Sequence, residues 1–158
     1  MAENLNAQLA KTSCYCLNER GEGAWRNLFM GDNTLPLRSD ADEQLLLQLG
    51  FMQTVKLTQI QIGLPGNSSN PKTVKIFANV SNLDFNSATD TPPVQTFNIE
   101  EGMKKVVINL PVVKFQRVDY LTIFIEDNFG EEFTEFHSIA IYGNPIMGTD
   151  VSKIGQTG

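Results

Sequence analysis

Short apolar runs that repeat every second residue, cut apart by turn-forming residues, restrict this chain to a β architecture. Val74, Ile76 and Ala78 alternate in one run, Val106, Ile108 and Leu110 in another, Leu121, Ile123 and Ile125 in a third. Successive side chains point to opposite faces of a strand, so each run offers one face to a core. Residues 45–49 read as a short strand, and residues 94–99 as another. Val55 and Leu57 share one phase of alternation while Ile60 and Ile62 share the other. A one-residue slip of that kind predicts a bulge that keeps both pairs inward. The segments 64–71 and 87–93 are loops by their Pro, Gly, Asn and Ser content. Outside the first ten residues no amphipathic helical period exceeds two turns. About eight short strands with this punctuation predict a β-sandwich or jelly roll. Its expected core holds Leu45, Leu47, Val74, Ile76, Ile108, Phe115, Ile123, Ile139 and Ile141.

Residues 113–142 read as strand, tight turn, strand, acidic loop and strand. Val113, Phe115 and Val118 form the first apolar run and Leu121, Ile123 and Ile125 the second, so Asp119-Tyr120 is expected to close a hairpin. The loop Glu126-Asp127-Asn128-Phe129-Gly130-Glu131-Glu132 carries four carboxylates around one Phe. Phe136, Ile139, Ile141 and Tyr142 continue as a strand. Between Val118 and Ser152 there are seven acids and no Lys or Arg. Such a face is a poor match for nucleic acid or an anionic membrane. It suits either solvation of a loop or contact with a basic partner.

At 158 residues and 41% hydrophobic content, the chain suits one domain that buries a core without staples. No apolar stretch approaches the roughly 18 residues of a membrane helix. The first residues lack the pattern of a secretory signal, so cytosol or nucleus is the expectation. Residues 1–13 are polar and aperiodic and read as a flexible arm, residues 14–143 as the domain, and residues 144–158 as a tail.

Candidate chemistry is sparse. Cys14 and Cys16 flank Tyr15, and a spacing of two strains a disulfide and misses the Cys-x-x-Cys of redox pairs. Ordinary thiols, at least one buried, are expected. With His137 as the single His, the chain lacks an evident zinc ligand set. His137 follows Phe136, on the opposite face of the strand, where solvent is the expected surrounding. Asp40-Ala41-Asp42-Glu43 lacks the Gly and later Glu of a calcium loop. No catalytic residues, metal or cofactor are expected.

Taken together, several stretches resemble the PITH domain family, the proteasome-interacting thioredoxin modules. They are Cys16-Leu17-Asn18-Glu19, Ser39-Asp40-Ala41-Asp42-Glu43-Gln44-Leu45-Leu46 and Pro71-Lys72-Thr73-Val74-Lys75-Ile76-Phe77-Ala78-Asn79. Leu83-Asp84-Phe85, Val113-Lys114-Phe115-Gln116, Leu121-Thr122-Ile123-Phe124-Ile125, Asn128-Phe129-Gly130-Glu131-Glu132 and Tyr142-Gly143 follow in order. The resemblance implies an all-β jelly-roll β-sandwich similar to galactose-binding-like and Doc domains. It also implies a non-enzymatic adaptor that associates with the proteasome, here as a monomer. Arg20 stands where the family more often has Ser, and Met52 where it often has Asn. No Cys-x-x-Cys precedes the module, so no disulfide reductase activity carries over. The residues expected to meet the partner are Asp127, Asn128, Phe129, Glu131 and Glu132. Fold analogy alone raises the alternative of a small-ligand or carbohydrate-binding module. That reading needs an exposed aromatic platform, for which Phe129 and Tyr120 are the candidates and Trp25 is expected in the core.

Overall fold

The computed structural model describes residues 2–31, 34–80 and 82–146. Its described strands are β1 (Glu3–Asn4), β2 (Tyr15–Leu17), β3 (Leu37–Arg38), β4 (Leu45–Gly63), β5 (Thr73–Ala78), β6 (Gln95–Asn98), β7 (Lys105–Asn109), β8 (Val118–Asp127), β9 (Glu135–Phe136) and β10 (Ser138–Pro145). One short helix, α1 (Phe85–Asp90), lies between β5 and β6.

β4 organises the molecule because it serves both layers of the sandwich. Residues 46–48 pair with β2, residues 45–50 with β8, residues 55–63 with β10 and residues 59–63 with β7. One layer therefore runs β2-β4-β8-β5-β6, and the other runs β1-β10-β4-β7, all antiparallel. The register against β8 jumps between Gly50 and Val55, where the chain leaves one layer for the other. The result is a large antiparallel sheet curled onto itself, the jelly-roll architecture, with β3 and β9 paired in a separate two-stranded sheet. All nine residues expected in the core lie in its main cluster. Burying each such Leu, Ile or Phe contributes about 1.5–3 kcal/mol.

The phase slip in β4 is a bulge, as its sequence predicts. Tyr142 lies opposite Gln59 and Gly143 opposite Leu57, which leaves Thr58 as the extra residue. Thr58 turns its hydroxyl onto the Tyr142 carbonyl at 3.2 Å. Gly143 lies so close to β4 that a Cβ there would overlap the Lys56 carbonyl.

The layer β2-β4-β8-β5-β6 also buries part of its outer face. Leu46, Phe77 and Phe124 point outward and are covered by Leu83 and Ala88, with Phe85 packed alongside. The covering helix α1 starts at Asp84, whose carboxylate accepts the Ser87 N–H at 2.8 Å while the Ser87 hydroxyl accepts the Asp84 N–H at 2.8 Å. That reciprocal cap explains how six residues of modest helix propensity hold a helix.

Four expectations are corrected. The first residues do not form a free arm: β1 pairs with β10, and Leu5 and Leu9 enter the core. There is no hairpin at Asp119-Tyr120, because both lie inside the continuous strand β8. The preceding run is a 3-10 turn, Val112–Phe115, with Phe115 fully buried and Val113 82% exposed. The short strand expected at residues 45–49 is the first part of the 19-residue β4. Of the expected tail, residues 144–146 continue from β10, and Ile146 N–H reaches the Thr54 carbonyl at 2.9 Å. Residues 147–158 lie outside the described residues.

Candidate interaction surface

Four asparagines tie the loops at the rims, and one of them builds the acidic lip. Asn128 accepts the N–H groups of Gly130 and Glu131 on Oδ1 at 2.9 and 3.1 Å. Its Nδ2 donates to the carbonyls of Glu131 and Phe133 and to the Thr134 hydroxyl. A single amide thus replaces the backbone pairing that a strand would supply. Gly130 takes φ +102°, a backbone state that Gly enters without steric cost. Thr134 hands the constraint on, donating its hydroxyl to the Glu43 carbonyl at 2.6 Å while its N–H reaches the Ser39 hydroxyl. Asn18 then holds the 41–44 stretch, donating to Asp42 and Gln44 and accepting from Ala41. Asn70 and Asn79 play the same part in the 64–71 loop and at the far rim.

The expected contact residues divide by what they touch. Asp127 accepts the Thr73 N–H at 2.9 Å and is half-buried, whereas Asn128 is buried. Phe129 is half-buried, its N–H bonded to the Ser68 carbonyl and the Lys72 ammonium 5.6 Å from its ring centre. Glu131 and Glu132 are exposed, Glu131 accepting the Ser68 hydroxyl at 2.5 Å. The available lip is therefore the Glu131-Glu132 tip with part of the Phe129 edge.

The stretch without bases in sequence is not without bases in space. Lys75 pairs with Glu126 at 3.2 Å, and Arg38 with Glu135 at 2.8 Å. Arg20 and Arg38 lie over the Phe133 ring at 4.9 and 5.6 Å, and Arg20 also reaches Asp40 at 3.6 Å. His137 is not free in solvent: its Nε2 meets the second oxygen of Glu135 at 2.9 Å. Burial pushes the Glu135 carboxyl up, but the bonds from His137 and Arg38 outweigh it and hold the group below the usual carboxylate range. Asp119 lies at the far rim against Thr54, and Asp150 is outside the described residues. The sequence reading missed Arg38, and it singled out Arg20 and Lys72 without placing them beside the lip.

Cys14 and Cys16 are both buried and free. Burial pushes both thiols up; the Gly50 N–H and Arg26 oppose this at Cys14, while Glu19 adds to it at Cys16. Neither is an activated nucleophile. Trp25 is buried in the 3-10 helix Ala24–Phe29, which Glu19 anchors by accepting the N–H groups of Gly23 and Trp25 at 2.7 and 2.9 Å. Among the described residues no three of His, Cys, Asp and Glu converge as metal ligands.

The PITH domain model matches residues 1–157. The chain belongs to the PITH domain family. It is 34% identical over 146 residues to thioredoxin-like protein 1 of Schizosaccharomyces pombe, covering 88% of this chain and 50% of that protein. It is 31% identical over 134 residues to PITH domain-containing protein 1 of Homo sapiens, covering 81% of this chain and 63% of that protein. It thus spans about half to two thirds of these relatives. Among solved structures it is similar to the family 32 carbohydrate-binding module of Clostridium perfringens NanJ, determined in complex with galactose. That match has a TM-score of 0.69 at 13% identity and covers 90% of this chain and 99% of the other. A second module of C. perfringens, determined with GalNAc-β-1,3-galactose, matches at a TM-score of 0.67 and 7% identity, covering 88% and 99%. At such identities the likeness is one of fold, the galactose-binding-like jelly roll. PITH domains and this fold are in general non-catalytic modules.

Proposed function

We propose that this PITH domain is a non-enzymatic adaptor that docks on the proteasome in the cytosol or nucleus. The observation that carries the reading is the PITH family match along residues 1–157. The contact is the Glu131-Glu132 tip with the Phe129 edge. Asn128 holds that loop in one shape with five hydrogen bonds. A loop ordered before binding loses less conformational entropy on contact. The aromatic edge supplies apolar area and the carboxylates supply steering toward a basic partner.

A carbohydrate-binding role has weaker support, because every candidate ring but Tyr120 is buried or faced by a cation. Lys72 covers Phe129, Arg20 and Arg38 cover Phe133, and Trp25 is 5% exposed. Tyr120, at 37% exposed, remains at the far rim without a neighbouring ring contact among the described residues. Co-sedimentation with purified proteasome, alongside calorimetric titration with galactose, separates the two. Saturable recovery with proteasome and no heat with galactose is expected. Galactose binding without proteasome recovery would reverse the assignment.

A further inference from the structure

Away from the lip, a groove of about 660 Å³ runs between the N-terminal segment and the 3-10 helix Ala24–Phe29. Leu9 and Trp25 form its floor, and Phe29 packs edge-on against Trp25 with ring centres 6.1 Å apart. Met30 stands beside it at 60% exposure, a flexible and polarisable side chain suited to varied apolar partners. Lys11 and Arg26 form the rim, and the Arg26 guanidinium lies 5.1 Å from the Trp25 ring centre.

Basic charge borders this apolar groove. No carboxylate among the described residues lines it, in a chain of net charge −6. Arg20, Arg38 and Lys75 are committed to Asp40, Glu135 and Glu126, whereas Lys11 and Arg26 form no ion pair among the described residues. The groove also borders a sheet edge, since among the described residues β1 pairs with β10 alone. Leu5 donates its N–H to the Ile141 carbonyl at 2.7 Å. By antiparallel alternation Asn4, one residue earlier, directs its own N–H and C=O away from β10.

We propose that this groove binds an extended acidic peptide segment of a partner protein, anchored by a bulky apolar side chain. The anchor rests on Trp25 and Leu9 between Phe29 and Met30, flanking carboxylates meet Lys11 and Arg26, and the peptide backbone pairs with Asn4 as an added strand. Its charge preference is opposite to that of the lip, and the two surfaces share no residue. One chain therefore offers an acidic and a basic contact to different partners or to two parts of one.

The test is fluorescence anisotropy with a labelled synthetic peptide of Glu and Asp around a central Leu-Phe pair. A version with Lys for the acids and one with Ser for the Leu-Phe pair are the controls. The acidic, apolar peptide should bind saturably and both controls poorly. Lys11→Glu with Arg26→Glu should weaken it at least about tenfold, and Met30→Asp should weaken it as well. These side chains are exposed, so the variants should melt like the parent. Glu131→Lys with Glu132→Lys should leave peptide binding unchanged, which separates this site from the proposed proteasome contact. Equal binding by the controls, or by the Lys11→Glu, Arg26→Glu variant, would overturn the proposal. So would concentration-dependent dimerisation abolished by Arg26→Glu, which would give the groove to a second copy of this chain.

Discussion

Gly143→Ala is expected to be among the costliest single-methyl additions this fold can suffer. The new Cβ would fall on the Lys56 carbonyl oxygen, with the Lys56 carbonyl carbon at 2.9 Å and the Leu57 Cα at 3.0 Å. Ordinary contact between carbons is about 3.5–4.0 Å. All three atoms are backbone of β4, so no rotamer change relieves the overlap. Instead β10 must move off β4 at the bulge, where Thr58 is inserted and its hydroxyl bonds to Tyr142. Overpacking costs about 1–3 kcal/mol when side chains can adjust. Each hydrogen bond lost with the shift adds about 1 kcal/mol. About 3–4 kcal/mol follows from these two effects, a large part of the ~5–15 kcal/mol of a typical domain. The cost is steric and not conformational, because Gly143 is not among the glycines with positive φ. Two companions calibrate it. Gly102→Ala meets nothing within 4 Å and should be neutral or mildly stabilising. Gly63→Ala meets the Ser138 hydroxyl, which can rotate, and should be intermediate and rescued by Ser138→Ala. Urea unfolding followed by fluorescence and far-UV circular dichroism reads all three by linear extrapolation. A Gly143→Ala protein within about 0.5 kcal/mol of the parent would refute the reasoning, as would Gly102→Ala being equally harmful.

Asn128→Ala should cost about 1–3 kcal/mol and speed amide hydrogen exchange across residues 130–134, with the β8 amides unaffected. At pH 8 both cysteines of the native protein should react slowly with a thiolate-directed reagent, Cys16 more slowly than Cys14, and rapidly in urea. Because both thiols are raised in the folded state, their contribution is fully present below the unfolded value of about 8.5 and is lost as pH rises above it. Cys16→Ala should therefore flatten the alkaline fall in melting temperature. Glu135 is depressed, so its contribution is present above the unfolded value of about 4.3 and is lost as pH falls through the folded one. Arg38→Gln should reduce that contribution and raise the pH of the acid unfolding midpoint.

Sequence pattern was most informative where one strand face met the core. Leu121, Ile123 and Ile125 enter the main core as read, although Thr122 and Phe124 between them are buried as well, and the slip between Leu57 and Ile60 located a bulge whose extra residue is Thr58. The pattern failed where two conformations bury the same residues. Phe115 is buried by a 3-10 turn after Pro111 as well as a strand would bury it, and only the 82% exposure of Val113 distinguishes them. Leu5 and Leu9 looked like isolated apolar residues in a polar arm. Their partners lie far along the chain, as with Asn6, whose side chain bonds to Ile139 and Ile141. At the lip, composition gave the acids but not their neighbours. Lys75, Arg20 and Arg38 come from other strands and loops, so local charge counting overstated the free acidic surface. Asn128 was read as a contact residue because a turn-forming amide and a binding amide look alike in sequence.

Association kinetics on immobilised, purified proteasome at two salt concentrations put the lip itself to the test. The parent, Phe129→Ala, and Glu131→Lys with Glu132→Lys would be compared at matched melting temperatures. Charge reversal should lower the association rate at low salt and flatten its salt dependence, since rim charges act mainly on encounter. Phe129→Ala should weaken binding by at least about 1 kcal/mol, mostly through faster dissociation. If both variants associate and dissociate like the parent at low salt, the lip is not the docking site.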